Sequence, residues 1–153
     1  MTNVPSCKEE LARNVERFVR EGFNPQFGKL TGKFSSNATW KRLRELGSEL
    51  WLDTGNIDEI NEMWTEEFSA LTTNNTLLNK EVQRGTYDET IKEASRLLDA
   101  FPGLTPQERK LELAFILNAR HGLKLVELFD ARVSVEEQTD LTNDLEGAVY
   151  YAR

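Results

Sequence analysis

The sequence predicts an α/β fold in which parallel strands alternate with helices. Three observations carry this reading. Short apolar runs of strand length recur at residues 49–53 (ELWLD), 70–74 (ALTTN) and 132–138 (RVSVEEQ). Helical patterns with their own start signals separate them. Parallel neighbours need a long crossover, and helices between strands supply it. Each strand also turns polar at its C-terminal end, where parallel α/β sheets place their ligands.

The elements follow in order. Residues 6–21 form an amphipathic helix: Ser6 with Glu9 makes a capping box, and Leu11, Val15, Phe18 and Val19 recur at helical spacing. Between Gly22 and Thr39 the chain is rich in Gly, Asn, Pro, Ser and Thr, with Phe23, Phe27 and Phe34 interspersed, which reads as a long connection pinned by aromatics. A short helix over Ala38–Leu46 stops at Gly47. The strand at 49–53 follows. Asn56 with Glu59 then caps a helix striped by Ile57, Ile60, Met63 and Trp64. After the strand at 70–74, Thr86 with Glu89 opens a helix bearing Ile91, Ala94, Leu97 and Leu98. Thr105-Pro106-Gln107-Glu108 combines a cap, Pro at the first helical position and the Glu partner, starting a helix that runs to about Phe129. The strand at 132–138 precedes a last helix, capped by Asn143 with Glu146, in which the chain reaches Arg153.

Bulk properties narrow the class. A chain of 153 residues suits one domain with a substantial core, and 39% apolar with 29% charged residues is ordinary for a soluble protein. The formal charge of −7, with no Lys/Arg block, argues against nucleic acid or an anionic membrane as partner. The single cysteine, Cys7, cannot form an internal disulfide, which fits a reducing cytoplasm. No apolar run approaches the roughly 20 residues that cross a bilayer, and the first residues lack the apolar core of a secretion signal.

Residues two apart share a strand face. Trp51 and Asp53 share one, as do Ala70, Thr72 and Asn74, and Ser134 and Glu136. The opposite faces carry Leu50 with Leu52, Leu71 with Thr73, and Val133 with Val135. Asp53 and Asn74 can also be read as turn residues that lead into the next helix. Glu136 is harder to explain that way, because a carboxylate opposite two valines costs several kcal/mol to desolvate unless it is paired or faces water. His121 in the long helix reads as a packing or surface residue, Cys7 as incidental, and the tryptophans as core or rim packing. The pairs Glu66-Glu67 and Glu136-Glu137 lack the neighbours of a metal site.

LWLDTGN (50–56) followed by ALTTNNTLLNK (70–80) resembles the first two strands of transaldolases, in which Asp-Thr-Gly/Ala-Asp precedes Thr-Thr-Asn-Pro-Ser/Thr. RVSVEEQTDLTNDLE (132–146) is similar to the family's third strand, a Val-Ser-x-Glu core followed by Leu-x-x-Asp-x-Glu, matched here by Val133, Ser134, Glu136, Leu141, Asp144 and Glu146. The resemblance covers about residues 48–153, so residues 1–47 are expected to form an N-terminal helical extension and 48–153 part of a barrel. It implies a partial (β/α)8 TIM barrel of about three βα units. The activity it implies is transfer of a dihydroxyacetone unit between sugar phosphates, such as fructose 6-phosphate and erythrose 4-phosphate, in the pentose phosphate pathway. The reaction runs through a Schiff base on lysine without cofactor or metal. By position, Asp53 is the acid/base for carbon–carbon cleavage, Asn74 binds the dihydroxyacetone part with Thr72 beside it, and Glu136 works through a water during imine formation and hydrolysis.

The chain departs from that pattern at three places. Asn75 replaces the family's Pro, Asn56 its second Asp, and no lysine falls at a strand end: Lys80 follows the second motif on its helix side and Lys124 lies in the long helix. The nucleophile belongs to the fourth strand, so the resemblance implies an N-terminal portion of a longer cytoplasmic enzyme, compatible with a homo-oligomer at full length. Three parallel strands cannot close a barrel, and the third should expose an edge that makes the piece aggregation-prone. A related ketose-phosphate aldolase, or a non-catalytic module that binds sugar phosphates, is the alternative reading. The Thr-Thr-Asn segment argues against more distant barrel aldolases.

Overall fold

The computed structural model describes residues 7–28, 30 and 32–152. In chain order the elements are helices α1 (Cys7–Arg20) and α2 (Ala38–Glu45), strand β1 (Leu50–Asp53), α3 (Ile57–Met63), β2 (Phe68–Thr73), α4 (Asn75–Gln83), α5 (Asp88–Asp99), α6 (Pro106–Phe129), β3 (Arg132–Val135), a 3-10 turn (Thr139–Leu141) and α7 (Leu145–Tyr151). The strands form one sheet in the order β1-β2-β3, and both pairings are parallel. The expected alternation of strand and helix is met. A small parallel sheet flanked by helices is compatible with part of an α/β barrel.

Local chemistry explains most boundaries. Thr105 and Glu108 form the reciprocal capping box with Pro106 behind it, as the sequence indicates, and α6 ends where Asp130 turns left-handed at φ 53°. The Asn56 side chain accepts a hydrogen bond from the Glu59 N–H and starts α3. Ser6, read as the cap of the first helix, lies outside the described residues.

One helix escapes the sequence reading, and three local expectations need correction. The chain between β2 and Gln83 folds as the separate nine-residue helix α4, whose cap is Asn74. Asn, Thr and Lys interrupt its short apolar pattern, which hides it in the sequence. Thr86 does not open α5. Its N–H bonds the Glu81 carbonyl and closes α4, the turn is made by Gly85 at φ 81°, and α5 starts at Asp88 without a side-chain cap. The cap of α7 is Asp144, which accepts from the Gly147 N–H, and not Asn143. The third strand is also shorter than read, because the chain leaves the sheet after Val135.

The outer face of the sheet makes the core. Leu71, fully buried in the central strand, packs with Ile60, Trp64, Leu125, Phe129 and Ala131, and Leu52 and Val133 join from the flanking strands. Gly122 of α6 lets the helix lie close on β3, since a Cβ there would sit 3.1 Å from Val135. The N-terminal helix is held by α5 and α6: Leu11 packs with Leu98 and Phe101, and Phe18 with Ala94 and Ile116.

The connection between α1 and α2 is fixed by carboxylates more than by aromatics. Phe34 does pack between Trp64 and Phe129, but Phe27 is 65% exposed. Glu127 accepts from the Asn24 N–H, and Asp130 accepts from the N–H groups of Gly28 at 2.7 Å and Leu30 at 3.0 Å. Glu67, buried, accepts from the Ser36 hydroxyl and the Asn37 N–H. Burial alone would push the Glu67 carboxyl up, yet these donors outweigh it and hold its pKa at about 2. Irregular backbone needs partners for its N–H groups, and acidic side chains supply them here.

Candidate functional site

The C-terminal ends of the strands build the site. In the sheet register Asp53 lies beside Thr72 and Thr72 beside Ser134, so a carboxylate and two hydroxyl residues form one row across three strands. The Thr72 hydroxyl donates to Asp53 Oδ1 at 2.8 Å. One pair earlier along the strands the same face carries Trp51, Ala70 and Arg132. Trp51 is 51% exposed, and Asp53, Arg132 and Ser134 are exposed as well, so this inner face is open to solvent. It owes its polarity to sequence and its alignment to strand register.

The next positions lie beyond the strands. Asn74 Oδ1 accepts from the Leu77 N–H at 3.0 Å, which commits that oxygen to α4. Its amide nitrogen makes no hydrogen bond among the described residues. Glu136 is exposed, its side chain makes no hydrogen bond among the described residues, and it lies with Glu137 along a groove of about 800 Å3. That groove runs between β3, α1, α6 and α7 and is walled by apolar groups such as Val15, Val19, Ile116 and Val133. The structure therefore brings Asp53 and Thr72 together directly. It places Asn74 and Glu136 at the ends of the adjacent strands, without a bond to that pair.

Behind the row sits a buried polar cluster that sequence reading passed over. Thr73 and His121 are 1% and 0% exposed, and Thr73 Oγ1 and His121 Nε2 have no hydrogen-bond partner among the described residues. His121 Nδ1 lies 2.6 Å from the Tyr87 hydroxyl. Burial, with the nearby Lys124 ammonium adding to it, brings the imidazole down to about 4, so it is neutral at physiological pH. Burial likewise pushes the Tyr87 phenol up. A Cβ on Gly55 would meet Thr73 Oγ1 at 2.8 Å and His121 Nε2 at 3.1 Å, so the turn after Asp53 rests directly on this cluster. Glycine is required there by close approach, a role that a turn glycine in LWLDTGN did not announce.

The same turn is tied down on its other side. The Thr54 hydroxyl donates to Glu59 at 2.9 Å, and Asn56 Nδ2 donates to Glu81 Oε1 at 3.1 Å, which joins β1 to α4. Glu81 is buried and pairs with Arg84 at 2.7 Å. Asn56, one of the chain's departures from the transaldolase pattern, thus supplies a cap and a cross-link at once.

Among the described residues no group of three His, Cys, Asp or Glu side chains is placed to hold a metal ion, and no described helix is long and apolar enough to cross a membrane. Parallel strands with a carboxylate-hydroxyl row at their C-terminal ends define an α/β protein whose polar strand ends lie where such sheets place their ligands. Residues 50–153, two thirds of the chain, match the model of the transaldolase/fructose-6-phosphate aldolase family, and the chain belongs to that family. Its function is accordingly transaldolase-like or aldolase-like, in carbohydrate metabolism, with sugar phosphates as the implied substrates. No curated protein matches the chain.

Proposed function

We propose that residues 50–153 supply the first three strand ends of a (β/α)8-barrel site that moves a dihydroxyacetone unit between sugar phosphates through a lysine imine. The observation that carries this is the Thr72 hydroxyl held on Asp53 Oδ1 at 2.8 Å across adjacent parallel strands. A carboxylate oriented by a neighbouring hydroxyl, with its second oxygen turned to an open face, is the group needed to take a hydroxyl proton as a carbon–carbon bond breaks. Asp53 returns that proton when the enamine adds to the acceptor aldehyde. Asn74 keeps its amide N–H groups for the dihydroxyacetone oxygens while its carbonyl caps α4. Glu136 handles protons through a water as the imine forms and is hydrolysed. The strands LWLD, FSALTT and RVSV contain no lysine, so the imine lysine belongs to a strand outside these three.

The test has two arms. Borohydride added to the 153-residue chain with fructose 6-phosphate should leave every lysine without a stoichiometric adduct. The same sugar phosphate should produce saturable NMR shifts at Asp53 and Thr72 that Asp53→Asn abolishes. A stoichiometric adduct on one lysine overturns the assignment of the nucleophile, and shifts that survive Asp53→Asn overturn the role of Asp53.

A further inference from the structure

Asn75 makes more long-range side-chain hydrogen bonds than any of the proposed site residues, and none of the roles above uses it. It is the first residue of α4, directly after Asn74. Its Oδ1 accepts from Asn118 Nδ2 of α6 at 3.0 Å and from Gln138 Nε2 at 2.6 Å, and its Nδ2 donates to the Glu137 carbonyl at 3.1 Å. These partners are 43, 63 and 62 residues away in sequence. Two of the three bonds reach the segment that follows β3, on the two residues after Glu136. Both lone pairs of the amide oxygen and one of its two N–H groups are spent on this clamp. Asn118, the third partner, is 2% exposed, so one end of the clamp is anchored in the interior.

We propose that Asn75 is a positioning residue: its amide locks the segment Glu136–Gln138 to the end of β2 and so sets Glu136 relative to Asn74. The inference rests on the functional reading given above and deepens it. The segment needs such a device because the ladder between β2 and β3 ends at the Thr73–Val135 pair, and beyond it the Glu136 side chain has no hydrogen bond among the described residues. An amide suits the task because the clamp requires an acceptor toward Asn118 and Gln138 and a donor toward a carbonyl at the same time. Asparagine offers both from one rigid plane. Aspartate could accept from the two amides but would set a carboxylate against the Glu137 carbonyl.

Backbone hydrogen exchange and fructose 6-phosphate titration, both read by NMR on the full chain, test the proposal. Asn75→Ala removes all three bonds, and Gln138→Ala removes one from the surface side, where loss of the fold is not expected. Both variants should speed exchange at residues 136–138, by about tenfold for the loss of a net hydrogen bond. Both should abolish the sugar-phosphate response of the Glu136 carboxyl while leaving that of Asp53 and Thr72 in place. Asn75→Asp should lie between wild type and Asn75→Ala in exchange. Wild-type exchange and a wild-type Glu136 response in both alanine variants overturn the proposal. Faster exchange with an unchanged Glu136 response reduces Asn75 to a structural lock and overturns its positioning role. A wild-type chain that is silent to fructose 6-phosphate, with exchange still faster in the variants, overturns the functional reading instead and identifies that reading as the part that failed.

Discussion

The two faces of one three-stranded sheet are built by opposite rules. On the outer face, Leu52, Leu71 and Val133 disappear under α3 and α6, and even the polar members of that layer, Thr73 and His121, are sealed from water. On the inner face Trp51, Asp53 and Ser134 stand open, and among the described residues the only side-chain bond in the central row is the one from Thr72 to Asp53. Adjacent residues in a strand thus belong to different layers: one layer fixes the fold, and the other stays open to solvent. The same substitution chemistry should therefore cost stability on one side and ligand response on the other.

The largest expected effect comes from the centre of the outer face. Leu71→Ala should lower unfolding free energy by about 2–5 kcal/mol, read by urea denaturation. Next is acid. His121 is held at about 4 against an unfolded value of 6.5. A depressed pKa of this kind contributes stability that is complete above pH 6.5 and is lost as pH falls toward 4, because the unfolded chain takes up the proton first. The shift amounts to about 3 kcal/mol. Glu67 is also depressed, but its contribution is lost only below the ordinary glutamate value of 4.5, and burial raises the Glu112 carboxyl, which adds stability as pH falls, so the loss above 4.5 comes from His121. In His121→Gln the loss across that upper window should disappear.

Gly55→Ala comes third. The new methyl meets Thr73 Oγ1 at 2.8 Å, and overpacking of this kind costs about 1–3 kcal/mol, measurable by thermal unfolding. The smallest effects belong to the inner face. Asp53→Asn and Ser134→Ala should change stability by no more than about 0.5 kcal/mol, while Asp53→Asn removes the response to fructose 6-phosphate. If an inner-face substitution destabilises as much as Leu71→Ala, the contrast between the faces is lost.

Much of this contrast was legible in the sequence because a period of two needs no tertiary information. The pairs Leu50/Leu52 and Val133/Val135 mark one face and Trp51/Asp53 the other, and the parallel order follows from helices between strands. The capping box at Thr105 located the long helix for the same reason: its signal lies within four residues. What escaped reading depends on distant partners. Nothing near Thr73 indicates that it meets a histidine 48 positions on, and nothing near Asn75 indicates Gln138. Thr86 misled because its local pattern is a valid helix start, yet its N–H was already committed to the end of α4. In the sequence Glu67 is only one of an acidic pair without metal-site neighbours, whereas the connection before α2 wraps around it.

The central claim is that the inner-face row is a sugar-phosphate site, and the most direct measurement is a backbone and side-chain NMR titration of the chain with fructose 6-phosphate. Saturable shifts should concentrate at Asp53, Thr72, Asn74 and Glu136, with Leu71, Leu125 and His121 unmoved. Shifts confined to the outer-face groups, or none at any of these four positions at millimolar sugar phosphate, would contradict it.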